Sequence, residues 1–179
     1  MPIPTPEPRT TVYISLGSNI APQANILRAV KLLTDYIEIA QVSTFFLTEP
    51  IGSAPQPAYI NGVLQCLCSQ PARNLKYHVL RAVEHRLGRM RTADKYAPRP
   101  IDLDILLYGT SVVDEEGLTI PDPHLRSRAF ICRGLLELNA EIVLPDTGER
   151  LKDVCSRATH GKMVAVPELT ETCREEIDQ

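Results

Sequence analysis

No apolar run in this chain approaches eighteen residues, so no membrane-spanning helix is expected. The opening Met-Pro-Ile-Pro-Thr-Pro-Glu-Pro-Arg-Thr lacks the apolar core of a secretion signal and reads as a flexible or polyproline-like arm. The glycine signatures that cradle phosphates are missing. There is no G-x-x-x-x-G-K-[ST], and His160-Gly161-Lys162 does not supply one. No G-x-G-x-x-G follows a strand and no serine sits in an elbow motif, which excludes dinucleotide-binding, protein-kinase and serine-hydrolase patterns. Five cysteines, an odd number without metal-ligand spacing, read as reduced and mostly core thiols of a cytoplasmic protein. Net charge −3 and the want of a second basic stripe argue against a nucleic-acid partner. No internal repeat is visible.

What is present fits an ordinary globule: 179 residues, 44% hydrophobic and 23% charged, enough for one domain with a full core. We divide the chain into an arm over 1–10, a domain over 11–150 and a C-terminal extension over 151–179 with an acidic end, either solvated helix or disordered. Thr11 to Leu16 reads as a strand broken by Gly17-Ser18-Asn19. Ile26, Ala29, Val30 and Leu33 fall at helical spacing. A strand is expected over Ile37–Leu47, a proline-rich loop over Thr48–Pro57, and a strand over Tyr59–Cys68. Pro71 opens a helix whose buried face holds Leu75, Val79, Ala82, Val83 and Leu87 and which Gly88 ends; Glu84, on the opposite side, is either solvated or facing a ligand. After a second long loop, Arg89 to Pro98, come a strand, a hairpin about Glu115-Glu116-Gly117 and a helix over Phe130–Leu138. Strand–helix–strand–strand–helix–strand is the α+β, ferredoxin-like βαββαβ order, with an antiparallel sheet and helices on one face.

The stretch Arg99 to Tyr108 stands out. Residues two apart on a strand point the same way, so Asp102 and Asp104 share a face, with Cα atoms about 7 Å apart, while Ile101, Leu103 and Ile105 enter a core. Upstream lie Arg81, Arg86, Arg89, Arg91, Lys95 and Arg99 against only Glu84 and Asp94. Paired hard carboxylates suit Mg²⁺, and guanidinium groups suit phosphate oxygens. From these residues alone, an edge strand with solvated aspartates and a solvated basic helix face remain open.

Arg-Pro-Ile-Asp-Leu-Asp-Ile-Leu-Leu-Tyr-Gly, preceded by Leu-Gly-Arg-x-Arg, resembles the signature of the 6-hydroxymethyl-7,8-dihydropterin pyrophosphokinases of folate biosynthesis. Tyr13–Asn19, Thr48–Gly52, Tyr59–Asn61 and Arg128–Phe130 extend the resemblance in order. It implies transfer of pyrophosphate from ATP to the hydroxymethyl oxygen of the dihydropterin, with release of AMP. It also implies two Mg²⁺ ions on Asp102 and Asp104. Arg89 and Arg99 would act as catalytic groups on a closing loop in which Tyr96 takes a position some members fill with tryptophan. Glu84, Arg91, Arg128 and Asp122 would lie near the nucleotide, and Thr48, Ile51, Tyr59, Asn61 and Phe130 would form the pterin pocket. Partners would be small molecules only, with no membrane, and the chain a monomer.

The chemistry of the residues agrees. A pterin is flat with an amide edge; Tyr59 and Phe130 can stack on it, and Asn61 offers both a donor and an acceptor. No side chain is an obvious general base; a metal-activated hydroxyl with Asp104 or solvent taking the proton is the expectation. Where the family has Pro-His-Pro, this chain has Pro121-Asp122-Pro123; Asp122 is expected to orient Arg126 or Arg128. Two other activities use the same residues: a non-catalytic pterin- or nucleotide-binding module, and a metal-dependent phosphohydrolase or nuclease.

Overall fold

A computed structural model describes residues 9–50, 55–91, 97–158 and 161–178. Ile51, Tyr96 and most of the N-terminal arm lie outside them.

The expected βαββαβ core is present. Strand β1 (Thr10–Ser18) leads to helix α1 (Pro22–Thr34), then β2 (Glu38–Val42), β3 (Phe46–Thr48) and β4 (Tyr59–Cys68). One continuous helical segment follows, made of α2 (Ala72–Asn74), a π-helical turn (Leu75–Leu80) and α3 (Arg81–Arg86), and it returns the chain to β5 (Asp102–Tyr108). With β8 (Met163–Ala165) near the C-terminal end of the chain, the sheet runs β5-β1-β4-β3-β8, with β2 also paired to β4, and every pairing is antiparallel. Strands β6 (Val113–Glu115) and β7 (Leu118–Ile120) form the expected hairpin.

Five features differ from the sequence expectations. Strand β1 continues through Gly17 and Ser18, because Gly17 pairs with Asn61 on one side and Asp102 on the other. A Cβ at Gly17 would lie 2.4 Å from Asn61 Oδ1, so the glycine makes room for that amide rather than ending the strand. The strand expected over Ile37–Leu47 is split into β2 and β3. At the break Ser43 N donates to the Val63 carbonyl and Val63 N donates to Ser43 Oγ, both at 2.9 Å, so a hydroxyl substitutes for a ladder carbonyl. Phe45 and Phe46, adjacent in sequence, thereby enter opposite cores.

Helices cover both faces of the sheet, not one. On the first face α1, the α2–α3 segment and α6 (Pro167–Ile177) pack on Val12, Ile14, Leu16, Leu64, Leu103 and Ile105. On the second, α4 (Ala129–Leu138) and α5 (Leu151–Ser156) cover Tyr13, Phe46, Val63, Leu106 and Leu107. A register shift between Tyr13 and Ile14 gives β5 an extra residue, and so Leu106 and Leu107 both serve the second core, which accounts for the non-alternating end of that strand. The acidic tail is a docked helix: Leu169 and Cys173 are buried in the first core, and Thr170 Oγ1 accepts from Phe45 N at 2.9 Å. Lys31 pairs with Glu176 across α1 and α6 at 2.9 Å. Finally, β8 (Met163–Ala165) adds a strand beside β3. The five cysteines are free and buried. Among the described residues no helix is long and apolar enough to cross a membrane.

Candidate active site

Antiparallel register aligns Asp102, Gly17, Asn61 and Phe46 in one row across β5, β1, β4 and β3. Partners in such a row share a face, here the second. Asp102 and Asn61 are two strand spacings apart, about 10 Å, with the side-chain-free Gly17 between them.

The β5 end of the row is charged. Arg89, just beyond Gly88, whose φ of 84° lets it end the helix, donates Nη1 to both Glu84 Oε1 and Asp102 Oδ1. Arg99 donates Nη1 to Asp102 Oδ2 at 2.8 Å, and Arg91 donates Nη2 to Glu84 Oε2 at 2.9 Å. Glu84 is buried rather than solvated. Its Oε1 also accepts from Leu103 N at 2.9 Å, because β5 is an edge strand there and this N–H points away from β1. The same residue's carbonyl accepts from Lys76 Nζ at 3.1 Å, and Lys76 also pairs with Asp104. A carboxylate and an ammonium thus occupy the two backbone groups that a further strand would have taken.

The electrostatics follow from this packing. Burial alone would raise the Asp102 carboxyl, but Arg89 and Arg99 outweigh it and hold it below its ordinary value. Burial likewise works against the Arg89 charge, and Asp102 with Glu84 overcomes it, raising the guanidinium. For Glu84 burial prevails over Arg89 and the Leu103 N–H, and the carboxyl is raised.

Asn19 ties the charged end to the rest. Its Oδ1 accepts from Arg99 N at 2.8 Å, and its Nδ2 donates to Gln56 Oε1 at 3.2 Å and to the Pro57 carbonyl at 3.3 Å. The described ends of both long loops therefore meet at one buried amide at the end of β1.

The other end of the row is neutral and opens on a cavity of about 350 Å³. Thr48, Tyr59, Asn61, Arg128 and Phe130 line it, and Arg99 and Asp102 form its border with the charged end. Asn61 Nδ2 donates to Thr48 Oγ1 at 2.7 Å, which orients the amide. Phe130, at the start of α4, belongs to the second core and lines the cavity too. Burial raises the Tyr59 phenol, and the neighbouring Arg99 opposes that shift. Arg128 Nε is buried and unpartnered.

Two parts of the site were not foreseen. Gly161, Lys162 and Met163, leading into β8, close one wall of the cavity. Asp122 does not engage an arginine: its Oδ1 accepts from His124 N at 2.7 Å and lies 3.0 Å from His124 Nδ1, capping the short 3₁₀ turn Pro123–Arg126. An aspartate two residues ahead of a turn N–H satisfies it locally, which outcompetes a reach to Arg126. Arg126 instead pairs with Asp146 at 2.5 Å. Burial raises the Asp122 carboxyl, the His124 N–H opposes this, and nearby Asp104 adds to the rise.

The α+β sheet thus sets Asp102, paired with two arginines, beside a cavity lined by an amide and aromatic rings. The family model described as 7,8-dihydro-6-hydroxymethylpterin-pyrophosphokinase matches residues 13–140, and the chain belongs to that family. It is 36% identical over 138 residues to the 2-amino-4-hydroxy-6-hydroxymethyldihydropteridine pyrophosphokinase of Pseudomonas aeruginosa, covering 75% of this chain and 84% of that one. The enzyme of the same name from Aquifex aeolicus is 34% identical over 144 residues, covering 80% of this chain and 89% of that one. The folic acid synthesis protein fol1 of Pneumocystis carinii is 37% identical over 139 residues, 76% of this chain but 18% of the fungal protein. The chain thus spans most of the bacterial relatives and under a fifth of that fungal one. The crystal structure of wild-type Plasmodium falciparum HPPK-DHPS superposes with a TM-score of 0.66 at 11% identity, over 84% of this chain and 45% of that one, which speaks to the fold.

Proposed function

We infer that this chain transfers the terminal pyrophosphoryl group of ATP to the hydroxymethyl oxygen of 6-hydroxymethyl-7,8-dihydropterin, in folate biosynthesis. The observation that carries this reading is the continuity of the site: Arg99 and Asp102 border the same cavity that Asn61 and Phe130 line. The substrate oxygen bonds to the β-phosphorus, and the bond from that phosphorus to the α–β bridging oxygen breaks. AMP leaves with the bridging oxygen, and the hydroxyl proton passes to solvent.

Asn61, oriented by Thr48, reads the pterin's amide edge while Tyr59 and Phe130 hold its faces. Arg89 and Arg99 exchange Asp102 for phosphate oxygens when the nucleotide arrives; Glu84 aims Arg89 and Arg91 from beneath. Asp102 and Asp104 would hold the two Mg²⁺ ions. The donor set fits: two carboxylates on one strand face suit an ion that completes its shell with water and phosphate. When bound, the ions would neutralise charge on the triphosphate. The remaining acceleration comes from positioning and from fixed positive charge around the transferring group.

The test is product analysis with ATP and the hydroxymethyldihydropterin. AMP and the pyrophosphorylated pterin are expected. Inorganic phosphate without pterin product would indicate a phosphohydrolase, and ligand binding without turnover a binding module.

A further inference from the structure

The π-helical turn over β5 carries a buried cation with no part in the reaction described above. Lys76 is on that turn, where Leu75, Val79 and Leu80 are buried with it, and only 9% of its side chain is exposed. Lysine is almost never buried this far unless paired. Its ammonium donates to the Leu103 carbonyl at 3.1 Å and to Asp104 Oδ1. The carbonyl alone would be satisfied by any donor, so capping the strand edge does not require a charge. The charge is spent on Asp104, whose side chain remains 44% exposed.

The two aspartates therefore hold their cations differently. Asp102 is paired with Arg89 and Arg99, which the proposed reaction gives a second partner in the triphosphate. Lys76 reaches Asp104 through a stem buried in the turn, and its second bond is to backbone.

We propose that Lys76 is a positioning residue that sets the divalent-cation affinity of Asp104. It fixes one carboxylate oxygen, leaves the other for the metal, and keeps a positive charge beside the ion. The ion then binds weakly by itself and tightly once the triphosphate adds negative charge, so that metal and nucleotide load together. This rests on the reading of Asp104 as a metal ligand.

The experiment titrates the full chain with Mn²⁺, following the free-ion electron paramagnetic resonance signal, with and without the non-cleavable analogue α,β-methylene-ATP. Without nucleotide, Lys76→Met should bind Mn²⁺ at least about tenfold tighter than the wild type, since a like charge a few ångströms away has gone. Lys76→Arg, which keeps the charge, should match the wild type. With the analogue both proteins should bind Mn²⁺ more tightly than without it, because the triphosphate adds negative charge beside the ion. Unchanged or weaker Mn²⁺ binding by Lys76→Met, or equal tightening by Lys76→Arg, would overturn the proposal. Should Lys76→Met not fold by circular dichroism, Lys76→Gln, neutral but still able to donate to Leu103, is held to the same criterion. Asp104→Asn separates the layers. If it weakens Mn²⁺ binding while Lys76→Met changes nothing, only the role of Lys76 fails. If Asp104→Asn leaves Mn²⁺ binding in the ternary complex unchanged, the metal reading fails and this proposal with it.

Discussion

The two ends of the Asp102–Gly17–Asn61–Phe46 row arrange their polar groups in opposite ways. At the β5 end the functional charges satisfy one another: Arg89 bridges Glu84 and Asp102, Arg99 takes the other oxygen of Asp102, and Lys76 takes Asp104. At the β4 end Asn61 uses one amide proton on Thr48 and keeps the rest of its hydrogen-bonding capacity toward the cavity. A buried charge left without a partner is far costlier than an amide facing a cavity, which is why the charges at the β5 end pair with one another. On the proposed reading, binding there is an exchange of partners, whereas at the neutral half it is an addition. Variants of the two halves should accordingly fail in different ways.

The largest effect is expected at the exchange end. Asp102→Ala should lower kcat/KM by roughly 10³-fold, since it removes a proposed metal ligand and also frees two arginines to collapse elsewhere. The protein should remain folded, and pterin affinity should be close to that of the wild type, because Asn61 and Phe130 are untouched. Steady-state kinetics with pterin binding measured by fluorescence checks both; a joint loss of activity and pterin affinity would mean the halves are not separable.

Next comes the neutral end. Asn61→Ala should weaken pterin binding by about 1–3 kcal/mol, the cost of stranding buried polar partners, and leave ATP affinity alone. Calorimetric titration with each ligand separates the two. Gly17→Ala should mimic it by pushing the amide aside, as its Cβ would meet Asn61 Oδ1 at 2.4 Å.

The sequence showed these two halves unequally. Strand β5 was legible because two aspartates alternate with apolar residues, and alternation translates directly into faces. Tyr59 and Asn61 were legible for the same reason. Register was not: nothing local reveals that Gly17 stands between Asn61 and Asp102, so the glycine read as a strand end. Nothing in the sequence singled out Lys76, since helical periodicity assumes 3.6 residues per turn and a π-helical turn brings an extra position inward. Glu84 fell on the far side of the helix by the same count and is in fact buried under Arg89. The second layer of helices was hidden because the apolar stripe of α4 says that it packs, not on which face of the sheet. Strand β8 has three residues and no period to detect.

Acid titration should sharpen the comparison at smaller amplitude. Asp102 is held below its ordinary value in the folded protein, so its stabilising contribution is complete above about pH 3.9 and is lost as pH falls through the depressed value. Glu84 runs the other way. Its carboxyl is raised, the folded chain keeps that proton to higher pH, and its contribution becomes less favourable as pH rises through the window above about 4.3. In urea denaturation the stability gap between the wild type and Asp102→Asn should narrow as pH drops below about 4. The gap between the wild type and Glu84→Gln should move in favour of the variant as pH rises across its own window. Parallel pH profiles for all three proteins would dissolve the contrast between the paired aspartate and the buried glutamate beneath it.

The smallest effect concerns Asp122, which borders the charged half without joining its exchange of partners. It caps the Pro123–Arg126 turn through His124 N, so Asp122→Ala should cost about 1 kcal/mol of stability for the lost cap. Removing a carboxylate that feels Asp104 should return part of that. The informative quantity is the coupling. In a double-mutant cycle Asp122→Ala and His124→Ala should interact by at least about 0.5 kcal/mol, because the two side chains touch. Asp122→Ala and Arg126→Ala should be additive within about 0.3–0.5 kcal/mol, because Arg126 is committed to Asp146. Strong coupling to Arg126 and none to His124 would make Asp122 part of the arginine network. Its carboxylate would then belong to the half of the site that trades partners with the triphosphate.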